Sequence, residues 1–133
     1  PALLEWALSA LQDDEQVRVQ RFVFVRDLLS AVAGRLLIRS AIRAAFVAAD
    51  YSFTNSQLGF GRTERGKPFL DAPKSLCAKT GAYNFNVSHS GGFAVLAASD
   101  ARLIGCDVEQ IHIRSNTDKD KFFFPHAVIF YIP

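Results

Sequence analysis

The feature that most constrains the fold is an abrupt change in hydrophobic pattern near residue 50. Before it, apolar residues recur at intervals of three and four, at Phe22, Val25, Leu29, Val32 and Leu36. This spacing follows one face of an α-helix. After it, glycine and proline break the chain into short apolar runs that are typical of strands. A helical segment followed by several strands predicts an α+β fold, with one long helix packed on a small antiparallel sheet.

The ends and the interior of the long helix carry their own signals. Asp13 and Gln16 stand three residues apart, which is typical of a helix start, and Asp50 closes an alanine-rich stretch. Gly34 lies inside the helical segment, where glycine costs about 1 kcal/mol relative to alanine. We interpret Gly34 as a bend, a division of the helix or a close contact. The strand candidates are residues 57–60, 68–70, 84–88, 93–98 and 103–111, with a turn at 88–92.

Composition excludes several classes of protein. The 133 residues are 50% hydrophobic and 21% charged, so a chain that is disordered throughout is excluded. No apolar stretch reaches the roughly 18–20 residues that cross a bilayer, so we expect no membrane partner. Fifteen basic and thirteen acidic residues leave a formal charge of +2, which argues against a nucleic-acid partner. Two cysteines cannot build a disulfide framework, and we expect thiols in the reducing cytosol.

Three groups of basic and polar residues are suited to phosphate binding. Residues 86–92 combine two serines, a histidine and two glycines, although an ordinary polar turn has the same composition. Residues 62–68 carry three cations, which fits either a phosphate-contacting loop or a charged surface loop. Arg35, Arg39 and Arg43 recur at intervals of four and form either a solvated helix face or a source of phosphate ligands.

Two acidic residues form a candidate metal site. Asp107 and Glu109 stand two apart in a strand candidate, so their carboxylates share one face. Such a pair can hold Mg²⁺, which prefers oxygen ligands and often also takes substrate phosphates. Two solvent-facing carboxylates are the alternative. The histidines and cysteines lack the tight spacing of zinc ligands, so we expect no zinc site.

Together and in this order, these motifs resemble the 4′-phosphopantetheinyl transferases of the large, Sfp-like type. The likeness covers roughly residues 1–110, and the stretches 20–27 and 33–39 are especially similar to animal members of the family. The family's fold is a pseudodimer of two similar halves. The resemblance therefore implies one such half, the N-terminal one, over residues 1–111, followed by a divergent tail at 112–133.

The resemblance also implies a reaction and a set of site residues. Family members use Mg²⁺ to move the phosphopantetheine group of coenzyme A to a serine of an acyl- or peptidyl-carrier domain. Fatty acid synthase and aminoadipate-semialdehyde dehydrogenase are the implied types of carrier, and adenosine 3′,5′-bisphosphate is the other product. By the resemblance, the ligands of coenzyme A are Arg18, Arg62, Lys67, Ser88 and His89, and those of Mg²⁺ are Asp107 and Glu109.

The chain departs from the family pattern after residue 110. The family's Trp followed by a Lys-Glu motif is missing, and so is the further glutamate that completes the metal site and is a candidate base. No catalytic residue is therefore assigned. We expect the chain by itself to be inactive or nearly so. A truncated, non-catalytic fragment with weak or no coenzyme A binding is the alternative function.

Overall fold

The computed structural model describes residues 2–46, 53–77, 83–99 and 104–110, together with the backbone of 126–131. Helices dominate the first part and antiparallel strand pairs the second, so the predicted α+β class is confirmed. The expected helix end at Asp50, and residues 112–125 and 132–133 of the expected tail, lie outside the described residues. The elements are α1 (Ala2–Ser9), α2 (Asp13–Val19), α3 (Val25–Phe46), β1 (Gly59–Arg62), β2 (Pro68–Ala72), α4 (Lys74–Cys77), β3 (Asn84–Ser90), β4 (Phe93–Ser99), β5 (Gly105–Gln110) and β6 (His126–Tyr131).

The cap of α2 lies one residue earlier than the sequence pattern predicts. Gln12, not Asp13, is the capping residue, and its backbone N–H donates to the Glu15 carboxylate at 3.1 Å. The partner three residues on is therefore Glu15 instead of Gln16. Glu15 is buried, whereas Asp13 and Asp14 are exposed. The burial of Glu15 determines which residues form the capping box. The local sequence spacing does not show which acidic residue is buried.

The predicted long helix is divided, and the division does not fall at Gly34. Helix α2 ends where the N–H groups of Arg21 and Phe22 donate to the carbonyls of Arg18 and Val19. Helix α3 then begins at Val25 and runs unbroken to Phe46. Of the residues that the apolar spacing placed on one helical face, Phe22, Val25 and Leu29 are exposed, and Phe22 lies before the start of α3. The buried apolar side chains of α3 are Ala31, Val32, Ile38 and Ile42, and Leu28, Leu36 and Phe46 pack against the core while partly exposed.

Gly34 marks the closest approach of α3 to the strands. A Cβ atom built on Gly34 would lie 3.0 Å from Cγ1 of Val87 on β3. Glycine thus lets the helix backbone pack directly on the strand, which confirms the close contact suggested by its place inside a helix. Helix α3 also packs on β4, so it forms a layer over the β3–β4 pair.

The strands form three antiparallel pairs: β1 with β2, β3 with β4, and β5 with β6. Strands β3 and β4 are joined by a two-residue turn in which Gly91 and Gly92 have φ angles of +60° and +86°. The predicted hairpin is confirmed, but its turn is shorter than expected. Ser88, His89 and Ser90 belong to strand β3 and not to the turn. Strand β6 lies inside the expected tail and pairs with β5.

The β5–β6 pair is attached to β3 by side chains. The backbone N–H groups of Cys106, Val108 and Gln110 all lie on the same edge of β5. They donate to Asn86 Oδ1 at 3.4 Å, Ser88 Oγ at 3.2 Å and Ser90 Oγ at 3.1 Å. Every second side chain of β3 accepts from every second N–H group of β5, since both strands repeat every two residues. These side chains hold β5 against β3, and the two strands form no backbone ladder with each other. Strand β5 is thereby fixed in register with Ser88.

The described residues form two buried apolar clusters. One joins the first helices to the start of α3 and contains Ala7, Leu11, Val19, Ala31 and Val32. The other joins the second half of α3 to the strands and contains Ile38, Ile42, Leu58, Leu76 and Phe85. Among the described residues, no helix is both long enough and apolar enough to cross a membrane.

Candidate functional site

A cleft of about 490 Å³ opens between the helices and the strands. Helices α2 and α3 line one side, and the β1–β2 loop and strand β3 line the other. Its lining includes five cationic residues, which come from α2, α3, β1 and the β1–β2 loop: Arg18, Arg35, Arg62, Arg65 and Lys67. Glu15 is the acidic residue among the described residues that line it. This excess of positive charge suits an anion that carries more than one negative charge.

Hydrogen bonds within and beside the β1–β2 hairpin position Arg62 and Lys67. The backbone N–H of Lys67 donates to Thr63 Oγ1 at 3.0 Å, and Gly66 adopts a φ of +78° at the tight part of the turn. The Arg62 guanidinium donates to the Gly66 carbonyl at 2.7 Å, and Lys67 Nζ donates to Asn84 Oδ1 at 3.3 Å. The predicted phosphate-contacting loop is therefore a short hairpin loop that presents its cations along one wall of the cleft.

A buried ion pair lies beneath the helical wall. The Glu15 carboxylate pairs with the Arg39 guanidinium, whose side chain is 1% exposed, and the Arg35 Nε atom lies 3.6 Å from Glu15 Oε1. Arg39 also donates to the carbonyls of Asn55 and Leu58 and stacks over the Phe60 ring. These contacts connect α2 and α3 to the start of β1. Arg39 is thus a structural residue, and the expectation of one solvated basic face on α3 is wrong there.

Strand geometry separates Ser88 from His89. Adjacent strand residues point to opposite faces, and His89 lines the cleft, whereas Ser88 turns toward β5. The Ser88 hydroxyl donates to Asp107 Oδ1 at 2.6 Å and accepts the N–H of Val108 at 3.2 Å. Ser88 is not among the residues that line the cleft. In this structure its proton is directed to a carboxylate.

The two predicted metal ligands lie on β5. Asp107 and Glu109 are exposed on the strand, and Val108 between them is buried. Their alternation agrees with the expected shared face. In the described segments, no group of three or more His, Cys, Asp or Glu side chains is arranged to hold a metal ion. The site that these residues can offer to a cation is therefore a pair of carboxylates.

The structure thus divides the predicted site residues into two groups. Arg18, Arg62, Lys67 and His89 line the cleft, while Ser88, Asp107 and Glu109 lie where β3 meets β5. Their roles remain predictions. Sequence reasoning missed Glu15, and it named Arg35 only as one of three arginines on α3. The capping-box pattern around Gln12 is the signal that could have identified Glu15. The repeat of arginines on α3 did include Arg35, but it could not show which arginine reaches the cleft.

Comparisons with known proteins agree on one family. The family profile described as "4′-phosphopantetheinyl transferase, N-terminal" matches residues 1–101. An L-aminoadipate-semialdehyde dehydrogenase-phosphopantetheinyl transferase of Xenopus laevis is 37% identical over 125 residues, which cover 92% of this chain and 39% of the relative. The human protein of the same name is 34% identical over 92% of this chain and 38% of its own length.

A bacterial relative extends the likeness. The 4′-phosphopantetheinyl transferase of Bacillus subtilis is 29% identical over 118 residues, which cover 89% of this chain and 47% of the relative. The chain spans about two fifths of the length of the animal relatives it matches. The match of the family profile to more than half of the chain shows that this protein belongs to the 4′-phosphopantetheinyl transferase family.

Proposed function

We propose that this chain carries the coenzyme A-binding and metal-binding groups of a 4′-phosphopantetheinyl transferase. In the proposed reaction, a carrier-domain serine oxygen forms a bond to the pyrophosphate phosphorus that bears the pantetheine group. The bond from that phosphorus to the bridging oxygen breaks, adenosine 3′,5′-bisphosphate leaves with the bridging oxygen, and the serine proton is released to solvent. The observation that supports this most strongly is the set of five cations around one cleft in a chain of this family. The names of the animal relatives favour an aminoadipate-semialdehyde dehydrogenase carrier, and a fatty acid synthase carrier remains a second proposal.

The cleft suits the charge of coenzyme A. That molecule carries a 3′-phosphate and a pyrophosphate, so it needs several cations and donors that converge from different directions. Arg18 approaches from α2, Arg62 and Lys67 from the β1–β2 hairpin, and His89 from β3. Arginine binds phosphate oxygens with a planar fork of donors, and lysine acts as a point charge. We assign these four residues to the phosphates.

The carboxylate pair on β5 fits Mg²⁺. Mg²⁺ is usually held by one or two carboxylates, several waters and substrate phosphates, so two exposed carboxylates on one strand face form a sufficient protein contribution. When bound, Mg²⁺ neutralises charge on the pyrophosphate and polarises its oxygens. Asp107 and Glu109 would hold it. The hydrogen bond from Ser88 restrains the Asp107 side chain.

Ser88 has a different surrounding from the one that the resemblance implies. A direct bond from Ser88 to a phosphate would require its proton to leave Asp107. We therefore expect Ser88→Ala to weaken Mg²⁺ binding, because Asp107 loses its donor and the Val108 N–H loses its acceptor. Ser90→Ala is the matched control, since Ser90 accepts the neighbouring N–H of Gln110 without contacting Asp107. Calorimetric titration with Mg²⁺ measures the Mg²⁺ affinity of the wild type and of each variant.

A mass-spectrometric assay tests the proposed function. The chain is mixed with coenzyme A, Mg²⁺ and an unmodified carrier domain, and the carrier serine is examined for the phosphopantetheine adduct. We expect adduct formation that is lost in Asp107→Ala, because Asp107 is a proposed Mg²⁺ ligand. Asp71→Ala is the control, since Asp71 is an exposed carboxylate on β2 that pairs with Lys74.

Absence of adduct from a folded sample would overturn transfer by this chain. The alternative, a non-catalytic fragment with weak or no coenzyme A binding, would then be favoured. An adduct that forms equally with Asp107→Ala would contradict the metal assignment while leaving the reaction in place.

A further inference from the structure

The three arginines at intervals of four on α3 have three different surroundings. Arg39 is buried against Glu15, and Arg43 is exposed and donates to the Phe53 carbonyl and to Asn55 Oδ1. Arg35 lies between these extremes, with its side chain 15% exposed and part of it in the lining of the cleft. The contacts of Arg39 and Arg43 account for their positions within the fold. The contacts of Arg35 within the fold do not account for its position.

The Arg35 guanidinium is incompletely bonded. One terminal nitrogen donates to the Ala31 carbonyl at 2.9 Å. The Nε atom is buried, and among the described residues it has no hydrogen-bond partner. Glu15 Oε1 lies 3.6 Å away, which is close enough for charge attraction and too far for a hydrogen bond. A buried donor without an acceptor is unfavourable, so the contacts within the fold do not satisfy the Arg35 guanidinium fully.

The charge around Arg35 is also unbalanced. Burial lowers the pKa of Arg35; the attraction of Glu15 opposes this, and the positive charges of Arg62, Arg18 and Arg39 lower the pKa further. Glu15 cannot neutralise Arg35 fully, because the same carboxylate is paired with Arg39. An anion in the cleft would offset the repulsion among these cations and would pair with the part of the Arg35 side chain that lines the cleft.

We propose that Arg35 is a further phosphate-binding residue of the cleft, held in place by Glu15 and only partly neutralised until a phosphate group binds. The inference rests on the proposed function, and it extends the set of phosphate ligands to the wall formed by α3. The ligand class is a phosphate or pyrophosphate group of a nucleotide. Arg35 from α3, Arg18 from α2 and Arg62 from β1 surround that group from three elements.

Arg35→Met tests the inference. Methionine keeps much of the length of the side chain and removes its charge and donors. The probe is adenosine 3′,5′-bisphosphate, titrated calorimetrically into the full chain. The loss of one charge-assisted hydrogen bond predicts an affinity about 10- to 100-fold weaker. Arg26→Met is the control, because Arg26 is exposed in the first turn of the same helix and does not line the cleft. It should change the affinity less than about twofold.

Thermal unfolding without ligand separates this role from a structural one. Removal of an under-bonded, repelled cation predicts a melting temperature for Arg35→Met that equals or exceeds that of the wild type. A merely structural arginine predicts a lower melting temperature with unchanged affinity of the folded chain. If the wild type binds the probe and Arg35→Met binds it equally well, the inference about Arg35 is overturned and the proposed function is not. A folded wild type that does not bind the probe overturns it together with the proposed function.

Discussion

The buried carboxylate of Glu15 gives the sharpest prediction about stability. Its side chain is 9% exposed, and its partner Arg39 is 1% exposed, so both charges are removed from water. Glu15→Gln keeps the size of the side chain and an oxygen that can accept the Gln12 N–H, but it removes the negative charge. Arg39 and Arg35 are then buried together without a counter-charge. Removal of one partner from a buried pair costs about 3–5 kcal/mol.

That loss is a large share of the stability of a small domain, which is about 5–15 kcal/mol. Urea unfolding followed by circular dichroism measures it directly. Asp14→Asn is the matched control, since Asp14 and Arg18 form an ion pair at 3.2 Å with side chains 53% and 50% exposed. Exposed pairs contribute about 0–1 kcal/mol. If both substitutions lower the free energy of unfolding by similar amounts, Glu15 does not act as the buried counter-charge described above.

Further predictions concern backbone and packing positions. Gly34→Ala should lower the free energy of unfolding, measured in urea, by about 1–2 kcal/mol, because its Cβ would press on Val87. In a chain that already carries Val87→Ala, Gly34→Ala should lower the free energy of unfolding little or raise it. Gly92→Ala should cost about 1–2 kcal/mol at a φ of +86°, whereas Gly105→Ala, with no atom within 4 Å, should be nearly neutral; equal losses would contradict the turn assignment. Burial raises the pKa of Tyr83 above the unfolded value of 10.0, so stability should fall as pH rises past that value. In Tyr83→Phe this alkaline loss should be smaller, and an identical pH profile would refute the burial argument.

Fold class was predictable because its signals are local. Apolar spacing identified the helices, and Gly91 and Gly92 identified the turn of the β3–β4 hairpin. The buried face of α3 was not predictable in its first turns. Phe22, Val25 and Leu29 continue the helical spacing, yet α2 ends before them and they face away from the core. Which residues a helix buries depends on the elements packed against it, and those contacts are not local.

The site was predictable in composition and only partly in arrangement. Intervals of four exceed the helical repeat of 3.6 residues, so successive arginines on α3 rotate by about 40° around the axis. Arg35 therefore reaches the cleft, Arg39 the core and Arg43 the surface. Ser88 and His89 were expected to act together on phosphates. Once both are placed in a strand and not in a turn, their side chains must face opposite ways.

The central claim is that the cationic cleft binds coenzyme A through its phosphates. Calorimetric titration of coenzyme A into the wild-type chain, and into Arg62→Ala and Arg26→Ala, tests it most directly. The account predicts saturable binding at one site that weakens about tenfold or more in Arg62→Ala and stays within about twofold in Arg26→Ala. A folded wild-type chain that gives no binding, or equal affinities for all three proteins, would contradict the account.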